Sequence, residues 1–199
     1  MNTKYIKDHY QFQPLTVEHV LTDFECSSKD LTEFLRNDAL TQQELYLNST
    51  NLIMCKNKII GFVSLLTDTF KIGNIEDEML RKTIKKELNV IGNKNTVPAV
   101  KIGRFAIDKK YAGKGLGGHI FRSILFTLTN IKKTIGFRYI TIDAYASAFG
   151  FYVDKHGFEY HKEDEKNVKK IKEIIKKDPE KRFTLYLELE KIKGLEEDS

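Results

Sequence analysis

Apolar positions in this chain change their period repeatedly, and each change marks an element. From Ser28 onward, Leu31, Phe34, Leu35, Leu40 and Leu47 fall roughly on one helical face. Ser28 is a good N-cap, so the pattern predicts a helix over 28–47. The segments 49–56 and 59–72 flank a turn at Asn57–Lys58 and predict a hairpin of two strands. A second helix is predicted over 75–88, with Met79, Leu80, Ile84 and Leu88 as its apolar stripe. The segment "AVKIGRFAID" (99–108) predicts a strand, and Leu116 to about Ile135 a long helix.

A strand over 138–145 is followed by a short helix near 147–156 that ends at Gly157. Residues 164–177 read as a basic amphipathic helix carried by Val168, Ile171, Ile174 and Ile175, stopped by Pro179. Over 182–192, Phe183, Leu185, Leu187 and Leu189 alternate with polar neighbours, as in a half-buried strand. The tail "KGLEEDS" is expected to fray. Helices and strands are mixed over a single core, so the class is α/β or α+β, and 199 residues without a linker-like tract fit one domain.

Composition narrows the setting. No run approaches the 18 or so apolar residues of a membrane span, and the start lacks the apolar core of a signal peptide. Cys26 and Cys55 have no metal-ligand spacing, which is expected of buried thiols in a reducing cytoplasm. A net charge of +5 favours an anionic partner: a phosphorylated cofactor, a nucleic acid or an acidic protein.

In the stretch "KIGRFAIDKKYAGKGLGGHIF" (101–121) a basic turn with four glycines, Gly113, Gly115, Gly117 and Gly118, leads from a strand into a helix. Backbone N–H groups of such a turn, with those opening the helix, converge on an anion. Glycine lets the backbone approach and permits φ > 0. Lys109, Lys110 and Lys114 add charge. An ordinary glycine-rich connection is the other reading. It is neither a Walker loop, which needs Gly-Lys-Ser/Thr, nor a dinucleotide fingerprint in a first βαβ unit.

Read from Ala112 through Gly113, Lys114, Gly115 and Leu116 to Gly117, with Gly118 following, the turn resembles the acetyl-CoA signature of the GNAT (Gcn5-related N-acetyltransferase) superfamily. A second segment, "ASAFGFYVDKHGF", resembles that family's later motif through Ala148, Tyr152, Gly157 and Phe158. Two motifs in the expected order are more specific than either alone. The resemblance implies the GNAT fold, a mixed central sheet split between its fourth and fifth strands and flanked by helices. The helices at 75–88 and 164–177 would then be additions to the common pattern.

The resemblance also implies roles. Backbone of Phe105, Ala106 and Ile107 would pair with the pantetheine arm of acetyl-CoA, and residues 112–118 would cradle its pyrophosphate. Tyr152 would be the general acid that protonates the leaving thiolate; a phenol with pKa near 10 is protonated at neutral pH. Ala112 stands where the signature prefers Gln or Arg, which implies weaker cofactor affinity. Tyr145 stands where many members have a pantetheine-contacting Asn. No metal is expected, and no general base is evident, Asp143 and Asp68 being the candidates. His119 and His156 are read as structural or exposed.

The N-terminal third, through Phe24, Cys26, Leu31, Phe34, Leu35, Ala39, Gly103 and Arg104, looks like a bacterial GNAT branch that includes tRNA-acetylating toxins. Arg104 is placed beside the reacting centre or the phosphate channel. Three functions stay open: acetylation of a small or protein amine, acetylation of aminoacyl-tRNA by a toxin with an antitoxin partner, and non-catalytic acyl-CoA binding. The basic helix at 164–177 is a candidate RNA contact. A homodimer is a further expectation; a membrane partner is not.

Overall fold

The computed structural model describes residues 1–89, 92 and 95–192; the tail expected to fray lies outside them. In chain order the elements are α1 (Thr3–His9), β1 (Gln11–Pro14), α2 (Lys29–Glu33), a π-helical turn (Phe34–Asp38), α3 (Ala39–Glu44), β2 (Ser49–Cys55), β3 (Lys58–Lys71) and α4 (Glu78–Asn89). They continue with β4 (Thr96–Ile107), α5 (Leu116–Ile131), β5 (Tyr139–Tyr145), α6 (Phe149–His156), β6 (Glu159–Tyr160), α7 (Glu165–Val168), α8 (Ile171–Lys177), β7 (Arg182–Glu188) and α9 (Leu189–Ile192). The strands form a mixed sheet in the order β1-β2-β3-β4-β5-β7-β6, which bears out the expected α/β class. Among the described residues no helix is long and apolar enough to cross a membrane.

The contacts divide the chain into two compact units, residues 1–66 with 102–125, and residues 67–101 with 126–199. In the first, β1 pairs antiparallel with β2, and β2 with β3. Lys56 and Asn57, at φ +48° and +56°, make the hairpin turn, one residue earlier than the expected Asn57–Lys58. A two-residue turn with both residues left-handed matches the twist of the flanking strands. Phe24, Phe34, Leu35, Leu52, Phe62 and Ala106 fill this unit's core, with the Phe34 and Phe62 rings 5.9 Å apart. The Ser28 side chain caps α2 by accepting the Leu31 N–H at 3.3 Å.

The predicted helix 28–47 is one helical path with a wide turn in it. The Ala39 N–H reaches back five residues to the Phe34 carbonyl. Its end comes early, at Glu44, because Tyr46 turns left-handed at φ +58°. Leu47, expected on the apolar face, is therefore exposed.

In the second unit, β5 and β7 pair antiparallel along their whole length, and the two-residue β6 adds to β7. The Arg138 N–H donates to the Pro98 carbonyl at 2.9 Å, tying the approach to β5 to the start of β4. Phe70, Ile72, Ile84, Tyr139 and Tyr186 lie in its core. Met79 of the expected stripe on α4 is exposed, while Ile84 and Leu88 are buried. The helix predicted over 164–177 is broken into α7 and α8, and the strand predicted to 192 ends at Glu188.

Candidate active site

Phe105, Ala106 and Ile107 are the last residues of β4. Strand alternation splits them between two faces. Ala106 belongs to the core around Phe34, whereas Phe105 meets Phe121 of α5 at 5.3 Å and Ile107 lies against Gly117. Beyond them the turn rises into α5, whose first residue, Leu116, is fully buried and anchors the helix end.

Gly113 and Gly115 have φ +81° and +71°. A Cβ built on either would meet nothing within 4 Å, so the surface over the turn is open. The first N–H groups of a helix lack intrahelical acceptors, and the first backbone bond found here along α5 runs from His119 N–H to the Gly115 carbonyl at 3.3 Å. Open space and left-handed glycines beside the opening N–H groups of a helix together fit an anionic group such as a pyrophosphate.

Ala112 through Gly115 are exposed, and Gly117 and Gly118 half-buried. The charge over the turn differs from the expectation. Lys109 is held by Glu25 at 2.5 Å, and Lys110 donates to the Asp23 carbonyl at 3.3 Å. Lys109 beside Glu25 keeps that carboxyl below its ordinary pKa. Lys114 is exposed and forms no ion pair among the described residues.

Sequence reasoning missed Asp108. Its buried carboxylate accepts the Lys110 N–H at 2.8 Å through Oδ1 and the Glu25 N–H at 3.3 Å through Oδ2. It therefore pins the 23–26 segment and the entry to the glycine turn together. The available signal was an Asp two residues ahead of a turn N–H, the pattern of an Asx turn.

In the second unit, Tyr152 is buried on α6 between Phe151 and Phe158, whose rings lie at 5.0 and 5.9 Å. Burial pushes its phenol pKa well up, so the group keeps its proton throughout the neutral range. Gly157 at φ +69° ends α6, with N–H bonds returning to the Tyr152 and Val153 carbonyls, a left-handed cap. Tyr145 is half-buried, and its hydroxyl accepts from Arg182 at 3.3 Å while the guanidinium carbon lies 5.2 Å from the ring centre.

Both carboxylates considered as bases are engaged. Asp143 pairs with Lys101 at 2.6 Å and accepts from the Thr184 hydroxyl at 2.9 Å. Asp68 accepts the Thr141 hydroxyl at 2.6 Å and its neighbour's N–H at 2.8 Å. His156 is buried and His119 half-buried, with its ring 5.9 Å from Tyr10. Among the described residues no cluster of three metal-ligating side chains occurs, and both cysteines are free.

The turn, the α6 motif and the sheet order define the class: the chain has the GNAT fold. It resembles the tRNA-acetylating toxin of Mycobacterium tuberculosis (strain ATCC 25618 / H37Rv), with 25% identity over 135 residues, 67% of this chain and 75% of that relative. A Tyr-to-Phe variant of KacT superposes with a TM-score of 0.72 at 17% identity, over 94% of this chain and 99% of that one. AtaT in complex with acetyl-methionyl-tRNAfMet gives 0.71 at 16% identity, over 94% and 98%. A Tyr-to-Phe variant of AtaT has also been solved with acetyl-CoA and the C-terminus of the antitoxin AtaR. No protein-family model matches the chain.

Proposed function

We propose that this protein moves an acetyl group from acetyl-CoA to a primary amine, and that the amine is the amino group of aminoacyl-tRNA. The observation that carries the reading is the glycine turn at the head of α5, open above Gly113 and Gly115, where the N–H groups that begin the helix have no intrahelical acceptor. When bound, acetyl-CoA supplies the activated acetyl thioester. Backbone of residues 112–118 holds the pyrophosphate, and the edge of β4 at Phe105, Ala106 and Ile107 orients the pantetheine arm. Tyr152 keeps a proton for the departing thiolate, which its burial supports. With Asp143 and Asp68 both engaged, the amine arrives deprotonated or passes its proton to water.

The acceptor follows from the relative named as a tRNA-acetylating toxin, together with the net charge of +5. A growth-arresting enzyme of this kind needs an antitoxin partner, and the cytoplasm, where charged tRNA resides, is its setting; two free buried thiols suit that compartment. The test is transfer of label from radioactive acetyl-CoA to a charged tRNA pool, with deacylated tRNA, polyamines, amino acids and Lys peptides in parallel. Label on charged tRNA alone, released by mild base as N-acetyl amino acid, is the expected result. Label on a small amine or peptide instead overturns the tRNA acceptor, and label nowhere overturns the transfer.

A further inference from the structure

Arg104 carries a charge that its own unit leaves uncompensated. Its guanidinium carbon lies 5.1 Å from the centre of the Phe34 ring, and Nη1 donates to the Gly103 carbonyl at 2.8 Å. Nε is buried with no hydrogen-bond partner. Among the described residues Arg104 makes no ion pair. A half-buried guanidinium is costly unless acceptors or an anion complete it. Placed over an aromatic ring, with donors left over, it is positioned for an anionic ligand.

Its place on β4 says which ligand it is not. Arg104 and Ala106 share the face that meets Phe34, while Phe105 and Ile107 face α5. Arg104 thus lies on the side of the strand away from the helix that opens at the glycine turn. Four residues of strand, about 13 Å, separate it from Asp108 at the start of that turn. A pyrophosphate in the turn is out of its reach, so the phosphate-channel position considered from the sequence is set aside.

We propose that Arg104, seated over the Phe34 ring, determines acceptor specificity by binding an oxyanion carried close to the acceptor amine. This rests on the acetyltransferase reading above. Two acceptors supply such a group: aminoacyl-tRNA, through the phosphodiester next to its charged end, and a free amino acid, through its carboxylate. The tRNA reading makes the phosphodiester the source. Polyamines carry no oxyanion, and a bare guanidinium repels their charge.

The experiment compares wild type, Arg104→Gln and Arg104→Lys on an aminoacyl-tRNA, the same free amino acid, and that amino acid as its amide, which has no oxyanion. It also measures acetyl-CoA affinity, Tm, and binding of a minihelix RNA carrying the amino acid through a stable 3′-amide. Arg104→Gln is expected to weaken minihelix binding and raise KM for aminoacyl-tRNA by about tenfold or more. Use of the amide, acetyl-CoA affinity and Tm are expected to hold, and Arg104→Lys to recover part of the loss.

Equal losses on amide and tRNA, or a fall in Tm or acetyl-CoA affinity that tracks the loss, overturn the inference. Arg104-dependent use of the free amino acid alone reassigns the oxyanion to the carboxylate and sinks only the tRNA reading. Minihelix binding that ignores Arg104 in an enzyme that acetylates tRNA sinks only the role of Arg104.

Discussion

The buried carboxylate of Asp108 accepts the N–H of Lys110 at 2.8 Å, so the chain is already bent before the first glycine of the turn is reached. The same side chain holds Glu25 from across the sequence. Replacing Asp108 with Ala removes both acceptors and leaves two backbone N–H groups to find others, a loss of about 1–3 kcal/mol. The expected outcome is a lower Tm with acetyl-CoA affinity reduced about tenfold or more. Calorimetric titration decides it, and unchanged affinity at a lowered Tm would mean that Asp108 serves the fold alone.

Glycines in the same unit separate conformation from space. At Gly113 and Gly115 an Ala side chain meets nothing, but the positive φ disfavours it by about 1–2 kcal/mol each. Gly113→Ala and Gly115→Ala are expected to fold and to bind acetyl-CoA more weakly. Gly61 is the opposite case: its Cβ would sit 2.4 Å from the Ala106 carbonyl oxygen, part of the backbone. Gly61→Ala is expected to cost about 3 kcal/mol or more. Denaturant unfolding of the three variants tests the contrast.

Tyr152→Phe keeps the ring packed against Phe151 and Phe158 and removes only the hydroxyl with its proton. The expected result is kcat lower by about tenfold or more, the usual size of general acid catalysis, with acetyl-CoA affinity and Tm little changed. Turnover equal to wild type would remove Tyr152 from the chemistry.

The lysines of α7 and α8 and the residues joining them are exposed, and Lys169 pairs with Glu165 at 2.6 Å on the same surface. Changing Lys169, Lys170 and Lys172 to Glu is expected to lower RNA affinity and flatten its salt dependence. Acetyl-CoA binding should hold. Filter binding across a salt series measures both, and an unaltered affinity would place the RNA elsewhere.

His161 offers a pH test of the second unit. Its ring is buried beside Phe70 and Tyr186, and burial lowers its pKa, with Glu163 and Asp164 pulling more weakly the other way. The unfolded chain then binds the proton first as pH drops. Stability is full above about pH 6.5, the ordinary histidine value, and declines below it towards the folded pKa. Tm should fall more between pH 7 and 5 for wild type than for His161→Gln; parallel curves would contradict this.

Local chemistry was legible in the sequence and distant chemistry was not. Ser28 could be named as a cap because its partner is three residues away. Gly157 could be named as a helix stop for the same reason. Met79 was misassigned because it lies one residue, about 100°, off the Leu80, Ile84, Leu88 line. The strands β1 and β6, of four and two residues, carry too little pattern to be seen and exist through their neighbours β2 and β7. The bond that Glu25 N–H donates to Asp108 spans 83 positions, and the contact of Arg104 with the Phe34 ring is likewise set by packing, which no local motif announces.

The wide turn between Phe34 and Ala39 has a meaning of its own. A helix that reaches back five residues holds one more than its path requires, and each residue turns the chain by about 100°. Phe34, Leu35 and Ala39, the residues at either end of that surplus, are all buried in the core. No substitution supplies or removes it; a single deletion would, swinging α3 by more than a quarter turn against its own core. At this point the fold is written in the count of residues, and only secondarily in their kind.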